Sequence, residues 1–188
     1  IHDRVLDEVV RLLPQRHKPG IPTDPTTTMG SLVSSAQLQK VEHYVKIGHE
    51  DGGRLVCGGK RPADATLQNG FFYEATIFAD MQPAMRLARE EVFGPVMSVF
   101  RWSDEDILFD QVNGVDFGLT GSIWTQDLNI AHRAARRMQT GYVWINNVSQ
   151  HFMGAPFGGV KQSGIGREEC FAELLEFTST KNVNIRFG

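Results

Sequence analysis

From Ser34 to Ile145, strand-like and helix-like apolar patterns alternate, separated by glycines or polar turns, and this alternation constrains the fold more than any other feature of the chain. Ser34 and Gln37 have the Ser-x-x-Gln spacing of a capping box. They open a helix over 34–51 that carries Leu38, Val41, Tyr44 and Val45 and stops at Gly52-Gly53. Arg54 to Cys57 then reads as a short strand ended by Gly58-Gly59, and the Asn69-Gly70 turn precedes an apolar run over 71–78. The stretch 96–102 alternates apolar and polar residues like a strand, 103–113 reads as a short helix ending at Gly114, and 121–125 as another strand. Asp127 is placed to cap a helix whose Leu128, Ala131, Ala135 and Met138 share a face; Gly141 stops it, and Tyr142 to Ile145 form an apolar strand. Strands alternating with helices predict an α/β fold, with a mostly parallel sheet flanked by helices.

Val5, Leu6, Val9, Leu12 and Leu13 recur at helical spacing before this core, giving a helix over 3–13 that ends at Pro14. An irregular stretch rich in proline and glycine follows as far as Gly30. Beyond the core lie a glycine-rich loop over 146–166 and a helix over 167–176. A terminal strand over 178–187 alternates around Val183, Ile185 and Phe187, a pattern suited to pairing along a sheet edge. The reading is one domain over 1–176 and a departing strand over 177–188.

Composition narrows the partners. The 188 residues are 41% hydrophobic and 22% charged, enough for a buried core, and a net charge of −3 gives no reason to expect nucleic acid or an anionic membrane. No apolar run approaches the roughly 18 residues of a membrane span, and no signal-peptide pattern opens the chain. Ile1-His2-Asp3-Arg4 has no initiating methionine and runs straight into an amphipathic pattern, as expected of a longer chain entered midway. Cys57 and Cys170 show no C-x-x-C spacing and the six histidines no H-E-x-x-H arrangement, so no metal site is expected. Two free thiols fit a reducing compartment such as the cytoplasm.

Two segments carry candidate chemistry. In Glu90-Glu91-Val92-Phe93-Gly94-Pro95, adjacent carboxylates at a strand entrance point opposite ways, so one can face a cleft and accept a pair of ribose hydroxyls. Taken alone, the hexapeptide better fits a solvated acidic pair before a turn. The second segment, Pro156 to Arg167, is glycine-rich but matches neither phosphate-loop pattern. Lys161 follows Val160 rather than glycine, and Gly164-Ile165-Gly166-Arg167-Glu168-Glu169 lacks the last glycine of G-x-G-x-x-G. Its glycines point to sharp turns or close packing.

Taken together, four pieces in order resemble the aldehyde dehydrogenase superfamily, and the resemblance covers essentially the whole chain. They are Glu90 to Val96; Phe117-Gly118-Leu119 with the strand after it; Gly141 to Asn146; and Pro156 to Glu168. The resemblance implies an NAD(P)-dependent enzyme that oxidises an aldehyde to a carboxylic acid, this chain being the later part of the catalytic domain plus an oligomerisation strand. It implies that Glu91 binds the nicotinamide-side ribose of NAD or NADP, that Phe93 packs beside that end, and that Gln37 and Lys40 reach toward the same ribose. The residues themselves leave Gln37 open as a helix cap and Lys40 as an exposed helix lysine. Asn146 and the loop 147–157 match the substrate funnel, with Phe157 as an aromatic wall and His151 and Phe152 shaping which aldehyde fits; a buried aromatic is also simply core.

In that family a cysteine thiolate attacks the aldehyde, a glutamate base helps water to hydrolyse the thioester, and an asparagine amide with backbone N–H groups stabilises the oxyanion. The resemblance implies that all of these lie upstream of Ile1, so no catalytic residue is assigned here and the isolated chain is expected to be inactive. Cys57 and Cys170 read as small hydrophobes rather than nucleophiles. A dimer or tetramer of the parent is implied. The alternative is a non-enzymatic interaction module that keeps the fold and assembles through residues 177–188.

Overall fold

Helix α2 (Ser35–Glu50) organises the first part of the chain. Ser34 has extended backbone and its Oγ accepts the Gln37 N–H at 3.2 Å, satisfying one of the helix's orphan donors. Only half of the expected capping box forms, because the Gln37 side chain turns outward to a different partner. Leu38, Val41 and Val45 are buried along one side of α2 and pack with Tyr73, Phe78, Leu87 and Val92.

Phe78 belongs to a three-stranded sheet of β1 (Arg54–Cys57), β2 (Thr76–Ala79) and β3 (Val96–Ser98), in that order, with β2 central and buried throughout. Alternation along β2 sends Phe78 toward the α2 cluster, whereas Ile77 and Ala79 join Leu6 of helix α1 (Leu6–Leu12) and Val99 in a second cluster. The sheet is thus covered on both faces.

The computed structural model describes residues 1–188, which divide into two units, Ile1–Leu108 and Phe109–Gly188. The second contains β4 (Phe117–Gly118) paired with β7 (Val160–Lys161), and β5 (Thr120–Ile123) paired with β6 (Tyr142–Ile145). Helix α5 (Leu128–Arg137) lies between β5 and β6, and the Asp127 carboxylate caps it through the Asn129 and Ile130 N–H groups at 2.8 and 3.1 Å. Helix α4 (Glu105–Asn113) precedes β4, capped by Asp104, and the last helix is α6 (Phe171–Glu176).

The α/β class holds, and its ladders follow the connections. β2 and β3 are joined through helix α3 (Arg86–Arg89), β5 and β6 through α5, and both pairs are parallel. β1 and β2 are joined without an α-helix and pair antiparallel, as do β4 and β7, so the expected mostly parallel sheet is mixed.

Several boundaries move. Pro14 tightens the end of the first helix into a 3-10 turn over Leu13–Arg16, since it cannot donate into an α-helix. The face of α5 centres on Ala131 and Ala134, leaving Leu128 exposed. The 167–176 helix shortens to α6, because Glu168 forms a bridge with Phe157 instead of helical bonds. The expected strand over 178–187 forms no ladder in this chain, and a strand exists only by pairing with a neighbour. No helix is long and apolar enough to cross a membrane.

Candidate functional site

Glu90 and Glu91 have opposite fates. The Arg86 guanidinium donates to both Glu90 oxygens, at 2.7 and 2.9 Å, and the Tyr44 hydroxyl adds a third bond at 2.8 Å. Arg86 first, then Tyr44, hold the Glu90 carboxyl at about 2, well below the ordinary carboxylate range. Glu91 is exposed, and no hydrogen bond or ion pair engages it.

The turn that presents Glu91 is fixed from behind. Val92 is buried in the α2 cluster, while Phe93 is 76% exposed with φ of 56°, a conformation an aromatic residue seldom adopts unless its surroundings hold it. The Gln37 amide supplies the hold, donating to the Val92 and Phe93 carbonyl oxygens at 3.0 and 2.7 Å. Gly94 lies so close to α2 that a Cβ would run into the Val41 side chain, and the Pro95 carbonyl accepts the Thr76 N–H at 2.8 Å to begin the parallel ladder. Lys40, one turn along α2, has its ammonium 5.8 Å from the centre of the Tyr44 ring.

A second cluster forms in the other unit. Tyr142 and Trp144 lie on one face of β6 with ring centres 4.8 Å apart. His151 lies 4.6 Å from Phe157, 5.9 Å from Trp144 and 6.1 Å from Tyr142, and its Nδ1 is 2.7 Å from a Glu169 carboxylate oxygen. Trp144 donates its indole N–H to the Gln150 carbonyl at 2.7 Å, which orders the start of the loop. Phe152 and Met153 are exposed at the loop tip, at 53% and 95%.

Asn146 sits at φ of 52° and uses both halves of its amide on the Thr125 backbone, accepting at 2.9 Å and donating at 2.8 Å. It extends the β5–β6 pairing by a side chain.

A model of the aldehyde dehydrogenase family matches residues 1–183. The chain belongs to the aldehyde dehydrogenase family. It is 51% identical over 191 residues to aldehyde dehydrogenase tropH of Talaromyces stipitatus, covering 100% of this chain and 37% of that protein. It is 45% identical over 183 residues to a betaine aldehyde dehydrogenase of Bacillus subtilis, covering 97% of this chain and 37% of the relative. Among solved structures, a betaine aldehyde dehydrogenase from Staphylococcus aureus in complex with NAD+ aligns with a TM-score of 0.89 at 35% identity, over 94% of this chain and 36% of that one. The chain therefore spans a little over a third of the length of the relatives it matches.

Of the residues singled out in this aldehyde dehydrogenase chain, Glu91 and Phe93 share one turn, which Gln37 bonds from helix α2, and His151 and Phe157 lie in one aromatic cluster. Lys40 is drawn to Tyr44, Asn146 is committed to Thr125, and Phe152 stands apart at the loop tip. Sequence reasoning missed Tyr142, Trp144 and Glu169. The first two are signalled by their two-residue spacing on a strand; Glu169 carries no local signal, being 18 residues from the histidine it meets. Both cysteines are half-buried; the Cys57 thiol donates to the Ala75 carbonyl at 3.5 Å, and burial pushes that thiol up.

Proposed function

We propose that this chain is the part of an NAD(P)-dependent aldehyde dehydrogenase that supplies a ribose-binding carboxylate and a substrate wall, in a parent that oxidises an aldehyde to a carboxylic acid. The observation that carries the proposal is the unequal use of two adjacent carboxylates. Glu90 is consumed by Arg86 and Tyr44, and Glu91 stands unpaired on a turn that Gln37 holds rigid. An unpaired carboxylate on a fixed backbone fits a vicinal diol, whose two O–H groups donate to its two oxygens. Glu91 would therefore hold the ribose of NAD or NADP, with the exposed Phe93 ring beside it. Gln37 acts as a positioning residue, and Lys40 is a basic neighbour on the same helix. When bound, the nicotinamide supplies the hydride acceptor.

The cluster of Tyr142, Trp144, His151 and Phe157 would form the aldehyde-facing wall, with Phe152 at its rim and Asn146 setting where the loop leaves β6. The nucleophile, general base and oxyanion amide would come from the rest of the parent, and this chain alone would not turn over. Residues 177–188 would pair with a neighbouring subunit in a dimer or tetramer. The exposure of Phe171, Leu174 and Phe177, at 71%, 60% and 83%, supports further protein covering this end. A cytoplasmic location is part of the same reading.

The test is Glu91→Gln in the parent polypeptide. Losing charge-assisted bonds to the ribose should raise KM for the nicotinamide cofactor at least about tenfold and leave KM for the aldehyde in place. An unchanged cofactor KM would remove Glu91 from the site.

A further inference from the structure

Glu169 is fixed from several sides. Its N–H donates to the Glu173 carboxylate at 2.7 Å, its carbonyl accepts the Gly154 N–H at 2.9 Å, and the neighbouring Glu168 exchanges both backbone bonds with Phe157, at 2.9 and 2.6 Å. The 168–169 segment is thereby strapped to the far end of the loop that begins after β6, and the Glu169 side chain, 31% exposed, reaches His151 across it.

That contact sets the chemistry of the imidazole. A carboxylate oxygen accepts, so Nδ1 carries the hydrogen of this contact, and Nε2 is the ring nitrogen left for another partner. No protein group bonds to Nε2. Trp144, whose ring centre lies 5.9 Å from that of His151, gives its indole N–H to the Gln150 carbonyl instead. His151 is 37% exposed, and its ring stands beside Phe157 and roughly parallel to Tyr142, at an interplanar angle of 17°.

We infer that the His151–Glu169 pair is a specificity element that selects aromatic aldehydes carrying a ring hydroxyl. The flat side chains receive the arene, and His151 Nε2 accepts the hydroxyl proton. Glu169 is the positioning residue: it never touches the substrate, and it acts by holding the tautomer and ring orientation of His151. This inference rests on the reading of the 147–157 loop as the aldehyde-facing wall. A site with an aimed acceptor disfavours the analogue lacking the hydroxyl, because the acceptor then loses its partner.

The experiment compares hydroxybenzaldehyde, benzaldehyde and hexanal in the parent polypeptide, in the unmodified protein and in His151→Phe, Glu169→Leu and Glu169→Gln. The unmodified protein should favour hydroxybenzaldehyde over benzaldehyde by about tenfold in kcat/KM, mostly through KM. His151→Phe should bring the kcat/KM ratio of the two arenes to about one. Glu169→Leu should abolish the preference as well, because the tautomer is released. Glu169→Gln should restore it, since the amide oxygen still accepts from Nδ1; a purely structural role for Glu169 would not separate these two variants. Equal use of the two arenes by the unmodified protein, or an unchanged ratio in His151→Phe, overturns the inference. Failure of the unmodified parent on hydroxybenzaldehyde overturns this inference and leaves the dehydrogenase reading, tested by Glu91→Gln, in place.

Discussion

The Gln37 side-chain amide donates to the Phe93 carbonyl oxygen at 2.7 Å, across 56 residues of sequence. Together with its bond to Val92, this contact couples helix α2 to the turn that carries Glu91. Gln37→Ala should therefore lower stability by about 1–2 kcal/mol, the net value of two such bonds, in a urea unfolding series on the 188-residue chain. A change near zero would mean that the turn is held by Val92 burial and the Gly94 packing alone.

The Glu90 contacts should weaken under acid. Glu90 titrates near 2 in the folded protein, below its ordinary value of 4.5. A depressed carboxylate contributes stability that is present above 4.5 and is lost as pH falls toward about 2. Thermal unfolding followed over that window should show a steeper decline for the unmodified chain than for Glu90→Gln.

The two glutamates also show what the sequence could and could not convey. Adjacent carboxylates before a Gly-Pro corner announce that one of them is available, but Arg86 and Tyr44 decide which. Tyr44 lies 46 residues from Glu90, so no local pattern reports it. Helix α2, strands β1 and β6 and the Asp127 cap were legible because spacing and capping chemistry are local. Strand β7, two residues inside the glycine-rich loop, was not, because it exists only through pairing with Phe117 and Gly118. His151 and Phe157 were legible as a pair of loop residues, whereas Glu169 enters by a tertiary strap.

Tyr73 gives the opposite pH signature. Burial, with smaller contributions from Glu42 and Glu74, pushes its phenol from 10 up to about 12. The folded state then keeps a proton that the unfolded state releases, so stability is intact below pH 10 and declines as pH rises through about 12. Tyr73→Phe should flatten that alkaline decline. An ultraviolet phenolate titration of the folded chain should lose its latest-ionising tyrosine in the same variant.

Gly141 is the glycine whose replacement should matter most to the aromatic cluster. A Cβ there would fall on the Gly158 carbonyl oxygen and lie 3.1 Å from Gly159 Cα, and backbone cannot rotate aside as a side chain can. Gly141→Ala should cost about 2–3 kcal/mol by displacing the start of β6. Gly166→Ala is the control: open space surrounds that position, so its effect should stay within about 0.5 kcal/mol. Equal stabilities of the two variants in denaturant would show that β6 does not press on the glycine-rich loop.

The most direct measurement is aldehyde-dependent formation of reduced nicotinamide by the purified 188-residue chain, of verified mass, beside the parent polypeptide. The expected result is turnover by the parent and none by the chain. Sustained turnover by the chain alone would contradict the division of labour proposed here.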